Sequence, residues 1–285
     1  MEWLKQLSQA IDYLENNLDG DISYDEAAKI ACCSTYYFQR MFSYVAGIPL
    51  SDYIRRRRMT KAAFDLQRSE EKVTDIASTY GYDSPTSFHR AFQSVHGVAP
   101  TAARKEGTLL NAYPRISFSI HVTGGEGMKY RVETKDPIRI VGIRTAIQAD
   151  IELNFKTVPA FWDATLKSNL FSEVCKLSNQ SPQGILGVTA YQNPQDIYYY
   201  IAATTDAPVP EGMTEFSIPA ATWVIFECDG HFQESVQTIF KRFLTEWLPF
   251  SGYQYAELPD IEVYPISNPN LKGGHSEVWI AVKKE

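Results

Sequence analysis

Two short segments carry side chains suited to reading a surface of hydrogen-bonding groups. "STYYFQRMFSYVAG" (34–47) and "SPTSFHRAFQSVHG" (84–97) agree at Ser34/Ser84, Phe38/Phe88, Arg40/Arg90, Phe42/Phe92 and Gly47/Gly97, at a constant offset of 50. A fixed offset marks an internal repeat. Each copy opens on a Ser suited to cap a helix, and Pro85 stands where a first-turn N–H is not needed. Phe38, Met41, Phe42 and Val45, like Phe88, Ala91, Phe92 and Val95, recur at helical spacing and give each helix one apolar face. The other faces carry Tyr36, Gln39, Arg40 and Ser43, then Thr86, His89, Arg90 and Gln93. Such groups can bond to base edges and phosphates.

A second constellation lies near the end of the chain. In the alternating stretch "SEVWIAV", Glu277 shares a face with Trp279 and Ala281, while Val278, Ile280 and Val282 take the other. Trp162, Tyr191, Trp223 and Tyr264 stand among the many aromatic residues of the same half. A carboxylate beside such rings suits a cation, each desolvated ring contributing about 0.5–2 kcal/mol.

The elements that must position these residues can be read from the flanking sequence. "SYDEAAKIACC" from Ser23 and "KVTDIASTYGYD" from Lys72 precede the repeated helices by a few turn residues, the grammar of a helix-turn-helix. They align at an offset of 49 (Ala28/Ala77), so Cys32 occupies the place that Gly81 holds in the second turn. Between the units "LSDYIRRRRMTKAAFDLQ" (50–67) contains no Gly or Pro and reads as one linking helix. Arg55 to Arg58 point around that helix, so one or two are expected at phosphates and another on a local acid.

The chain of 285 residues has a net charge of −7, which is not the profile of a simple nucleic-acid binder. Residues 1–107 hold 13 Lys plus Arg against 14 Asp plus Glu, and residues 108–285 hold 14 against 20. The acid excess therefore belongs to the second half. In the first, Arg40, Arg55 to Arg58, Arg90, Arg104 and Lys105 lie in or beside the repeated segments, and distribution makes the electrostatic footprint. No apolar run approaches membrane-spanning length, and the acidic amphipathic start is unlike a signal sequence, so a cytoplasmic protein is expected. Cys32, Cys33, Cys175 and Cys228 form no ligand-spaced set with His, which leaves no expected metal site or cofactor.

After the glycines near 125 the pattern changes. Extended segments around Pro137 lead to a helix interrupted at Pro159 and a strand pair, and the same β-α-β-β order returns from "FSIPAATWVIFECDG" to "SEVWIAVKK". Two such halves predict an antiparallel sheet with helices on one side and a pseudo-twofold cleft between them.

"YYFQRMFSYVAG", "YIRRRRMTKAA", "VTDIASTYGYDSPTSFHRAF" and "GVAPTAARK" together resemble the DNA-binding domain of the AraC/XylS-family transcription regulators, in the Rob-like order with the reader first. The resemblance implies two helix-turn-helix units in successive major grooves of double-stranded operator DNA. Tyr36, Gln39, Arg40, Arg55, Thr86, Ser87, His89 and Arg90 are the implied contacts. It also implies an activator with RNA polymerase as a further partner. "WLPFSGY", "IEVY" and "EVWIAV" resemble GyrI-like effector-binding domains, which hold small cationic or aromatic molecules, as in multidrug sensing. Glu277 is the residue matched to the ligand carboxylate, with Trp279, Trp162, Tyr191, Trp223 and Tyr264 as wall. The expected organisation is an all-α reader at 1–107, a linker at 108–127 and an α+β effector domain at 128–285. No catalytic residue is expected. The alternative is a hydrolase acting on a reactive small molecule, but neither a nucleophile elbow nor a His-containing constellation supports it.

Overall fold

The computed structural model describes residues 2–118, 127–148, 151–193, 196–230, 232–266 and 274–284. Gly124 and Gly125, at the expected boundary, lie outside them. The chain divides into two compact units, Met1–Ser119 and Ile120–Glu285.

The first unit is helical: α1 (Glu2–Asn16), α2 (Tyr24–Ile30), α3 (Thr35–Ala46), α4 (Leu50–Arg68), α5 (Val73–Thr79), α6 (Pro85–His96) and the short α7 (Pro100–Ala103). The repeat fixes the local geometry. Ser34 caps α3 through its side chain, Pro85 opens α6, and Gly47 and Gly97 end them with φ of 72° and 76°. The turns before both helices are alike. Cys33 N donates to Ala28 O and Cys32 N to Lys29 O, as Tyr82 N does to Ala77 O and Gly81 N to Ser78 O. This paired 6→1 and 5→2 bonding requires a left-handed residue. Gly81 supplies it at φ 77° and Cys32 at φ 54°, so the missing glycine leaves the turn geometry unchanged and is accommodated as strain.

Two apolar cores result. Leu7, Ile11, Leu14, Phe38 and Phe42 pack with Leu50, Tyr53 and Ile54 from the start of α4. Ile76, Tyr80, Phe88 and Phe92 pack with Met59, Ala62, Ala63 and Leu66 further along the same helix. The arginine run serves this scaffold. Arg55 and Arg56 both pair with Asp52, and Arg57 grips Glu15 with two nitrogens, at 2.8 and 2.7 Å. Arg58 donates to the carbonyls of Leu18 and Gly20. Residues 110–118, inside the expected connector, lie against both cores through Leu110, Tyr113, Ile116 and Phe118.

The second unit is one sheet of β1 (Tyr130–Lys135), β2 (Ile138–Ala146), β3 (Ile185–Asn193), β4 (Asp196–Thr204), β5 (Thr214–Ile218), β6 (Ala221–Gly230), β7 (Tyr253–Tyr255), β8 (Asp260–Tyr264) and β9 (Gly274–Lys284). Its helices are α8 (Ile151–Leu166), α9 (Asn169–Leu177) and α10 (Phe232–Arg242), the last running on into a π-turn at Phe243–Trp247. Both expected β-α-β-β halves are present. Each is preceded by a further strand that crosses to the other half: β1 pairs with β6, and β5 with β2. The order β1-β6-β9-β8-β3-β4-β2-β5 therefore reads the same from either end once the halves are exchanged, with β3 and β8 joined at the centre. α9 packs on β2 and β4, and α10 on their counterparts β6 and β9. The central pair lies between these two flanks.

Replacing Cys32 by Gly removes the cost of a left-handed Cβ, about 1–2 kcal/mol before the added freedom of the unfolded chain is subtracted. Calorimetry is expected to show a rise of a few degrees in the midpoint of the first unit for Cys32→Gly. Gly81→Ala, whose Cβ would stand 3.0 Å from Arg58 Nη1 as well as at φ 77°, is expected to lower it.

Candidate functional site

On the second reader the expected contacts are presented. Thr86, Ser87, His89 and Arg90 are all exposed on α6, while Phe88, Phe92 and Val95 hold the helix to its core. The equivalent side chains on α3 are covered: Tyr36, Gln39 and Arg40 have 3 %, 6 % and 7 % of their surface accessible. The Arg40 guanidinium lies 5.5 Å from the Tyr44 ring centre. Arg55 is exposed on α4, its charge shared with Asp52. The repeat that makes the two readers equal in sequence leaves them unequal in exposure.

In the sheet unit, strand register divides the expected effector residues between two faces. Glu277, Trp279 and Trp223 lie on the face away from the helices, where Ile261 faces Trp279, Val263 faces Glu277 and Ala281 faces Trp223 across the ladder. That face closes into an apolar core with Leu186, Val188, Ile225 and Ile261. Trp223 is fully buried there. The Glu277 carboxylate is already engaged, accepting from the Trp279 indole at 2.8 Å and meeting Arg131 of β1 at 2.8 Å. The bond to Glu277 is the largest influence holding the Arg131 guanidinium above its ordinary pKa. Its neighbours Glu133 and Lys135 pair beside it, and the Lys135 ammonium stands 5.9 Å from the Trp279 ring. Glu277 thus belongs to a charged ladder along the β1-β6-β9 edge, beside the Trp279 and Trp223 rings. A carboxylate on a half-covered strand needs a partner, and β1, crossing from the other half, supplies one.

The other face gathers Trp162, Tyr191 and Tyr264 of the expected wall around an acid, Glu262, that sequence reasoning did not name. Glu262 on β8 is partly open to solvent, and one of its oxygens accepts from two phenols, Tyr199 at 2.8 Å and Tyr264 at 2.7 Å. The Tyr199 oxygen accepts in turn from the Trp162 indole of α8 at 2.9 Å. Trp162 stands edge-on to both rings, 6.5 Å from Tyr199 and 5.5 Å from Tyr264. Tyr191, on β3, shares this face by its register opposite Ile197. Burial, reinforced by Glu262, pushes the Tyr264 phenol well above its ordinary pKa, so it stays a donor throughout the physiological range. Below the carboxylate is Gly187, paired with Glu262 across β3 and β8. A Cβ there would lie 2.2 Å from the Tyr199 hydroxyl and 2.6 Å from a Glu262 oxygen. The glycine is what lets both oxygens approach the strand. The available signal was the repeated tripeptide: "EVY" at 262–264 and "EVW" at 277–279 are equivalent in pattern.

A carboxylate ringed by Trp and Tyr, at the central seam between two helix-covered flanks, offers charge and π-faces to a cation. The nearby Cys228 thiol is pushed up in pKa by burial, which disfavours its thiolate.

Residues 27–106 match a family described as "Helix-turn-helix domain", and residues 131–282 match one described as "Integron-associated effector binding protein". The activator AarP of Providencia stuartii is 36 % identical over 105 residues, 37 % of this chain and 78 % of that protein. The HTH-type transcriptional regulator YkgA of Escherichia coli K12 is 30 % identical over 170 residues, 54 % of this chain and 71 % of its own. Among solved structures, a bacterial transcription regulation protein from Staphylococcus aureus MU50 covers 55 % of this chain and 99 % of its own at 18 % identity, with a TM-score of 0.49. No helix among the described residues is long and apolar enough to cross a membrane.

The glycine at 187 yields a sharp expectation. In Gly187→Ala the new methyl meets side-chain rather than backbone atoms first, Tyr199 and Glu262, so the Glu262 network is expected to be displaced at a smaller fall in the melting midpoint than a backbone clash brings. Gly142→Ala is the contrast, because its Cβ would meet the backbone of Ile201 and Ala202 at 2.2 and 2.5 Å. Overpacking against a fixed backbone is expected to cost about 1–3 kcal/mol or more, seen as a large fall in the midpoint.

Proposed function

The chain belongs to the AraC family of helix-turn-helix transcription regulators, with an effector-binding domain of the integron-associated type behind its reader, and on that premise we propose that it is an activator responsive to a small aromatic cation. The observation that carries the ligand class is the Glu262 carboxylate held by Tyr199 and Tyr264 beside Trp162. An aromatic wall favours any flat apolar molecule, but only a cation also answers the carboxylate. The ligand-contacting acid is therefore Glu262, and Glu277 is assigned to the sheet edge with Arg131.

For DNA, α6 is the reader that stands open, through Thr86, Ser87, His89 and Arg90. Contact by Tyr36, Gln39 and Arg40 requires those side chains to come out of cover. A double helix-turn-helix chain reads two adjacent major-groove segments, one turn of duplex apart, without needing a second copy.

Two measurements test this reading. Calorimetry compares benzyltrimethylammonium with its uncharged carbon isostere, neopentylbenzene. Glu262→Gln is expected to weaken the cation by about ten- to a hundredfold, the range for a lost bond to a charged group, while the neutral molecule is held as before. Equal losses for both would reduce Glu262 to a shape-determining residue. A cation-specific loss in Glu277→Gln instead would move the site to the opposite face. In DNA titrations Arg90→Ala is expected to cost roughly 1–3 kcal/mol and to relax preference at one position of the site. A uniform loss on all sequences would make Arg90 a phosphate contact.

A further inference from the structure

The two readers are carried by separate cores, and α4 contributes its first residues to one core and the remainder to the other. A single helix is a compliant joint, since long helices bend. The structure contains a second span across the same joint. Beyond α7 the chain continues without helix or strand, and at Tyr113 it is fastened to the middle of α4 on three sides. Tyr113 N donates to Thr60 Oγ1 at 3.1 Å, its carbonyl accepts from Arg57 at 2.6 Å, and its ring lies 5.0 Å below the Arg56 guanidinium. On one side of this fastening Asn111 donates to the Val95 carbonyl of α6 at 2.7 Å, and Leu110 packs on the second core. On the other, Ile116 N donates to the Tyr53 hydroxyl at 3.2 Å, Arg115 pairs with Asp12 of α1, and Ile116 and Phe118 pack on the first core.

From this arrangement we infer that residues 108–118 are a brace for DNA reading, with Tyr113 as its positioning residue. It ties both reader units to α4 and so fixes the distance and rotation between the two recognition helices. None of these residues belongs to the DNA contact set. Their effect is on register: a braced pair of readers accepts one spacing between its two groove segments, whereas an unbraced pair tolerates several. The idea rests on the two-segment reading proposed above.

The test uses the full chain and three duplexes carrying its DNA site: the native spacing, the same site with one base pair inserted between the segments, and the segment read by α6 alone. The parent is expected to prefer native spacing over the insertion by about tenfold or more, as displacement of a half-site breaks several base contacts at once. In Tyr113→Ala/Ile116→Ala that preference is expected to fall to within about twofold, while affinity for the single segment, which α6 alone determines, is kept. Tyr113→Phe retains the ring and the backbone bonds and is expected to restore the parent's preference. Two results would overturn the brace: an undiminished preference in the double variant, with hydrogen exchange showing that the amides of residues 113 and 116 have been freed, or an equal loss on all three duplexes together with a lowered melting midpoint, which would make the segment ordinary core. Failure of the parent to bind any of the three would instead defeat the DNA-reading proposal beneath it.

Discussion

Charge withdrawn from water must be met by a partner, and each unit of this chain is arranged around one such obligation. In the reader it is Glu15. Burial alone would raise its pKa, yet the bonds from Arg57 and Tyr53 outweigh that and hold the carboxyl below its ordinary 4.5. Because the folded value lies under the unfolded one, the contribution is complete above the usual carboxylate range and fades as pH falls through the folded value. The same Arg57 and Tyr53 also bond to the backbone at Tyr113 and Ile116, so one ionic contact holds α1, α4 and the chain beyond α7 together. In the sheet unit the obligation is Glu262, discharged by two phenols and, through one of them, by the indole of α8. The difference between the two acids is access. Glu15 is enclosed by its partners, whereas Glu262 retains solvent exposure at the seam between the halves.

That seam follows from the palindromic strand order. Since β3 and β8 are equivalent strands of the two halves and pair with each other, α9 and α10 fall on flanking strands, and α8 reaches the centre through Trp162. Residues placed there come from both halves: Trp162, Tyr199 and Gly187 from the first, Glu262 and Tyr264 from the second. The symmetry supplies the location, and the departures from it supply the chemistry, because only one of the two equivalent central strands carries the acid.

Much of this is legible in the residues themselves. The repeat, its caps and its terminal glycines announce two like helices, and they form where Ser34 and Ser84 stand. The arginine run reads correctly as helical, but its cations are drawn into the scaffold by Asp52, Glu15 and two carbonyls that only the fold brings near. The acid at the centre of the sheet is where local reading falls short. "EVY" and "EVW" have the same alternation, and alternation states that neighbours point oppositely without stating which side the helices will cover. The antiparallel register sets Glu262 opposite Val278 and Glu277 opposite Val263, a displacement of one residue that sends the two acids to different faces. No local pattern encodes that, since it depends on a pairing between strands. The covering of Tyr36, Gln39 and Arg40 is equally a property of the folded chain.

The crossing of β1 to β6 and of β5 to β2 has a consequence for the order in which the protein comes into being. The two cores of the reader draw on residues of its own stretch of chain, so they can form as soon as that stretch has left the ribosome. β1 cannot find its neighbour then, because Tyr130 pairs with Phe226 and Lys135 with Ala221. Nor is the first half complete when β4 emerges, as the outer edge of β2 waits for β5. The sheet unit is therefore finished late, with its bare strand edges exposed in the meantime. A nascent chain passes through an interval in which its helical unit can be formed while its sheet unit is not.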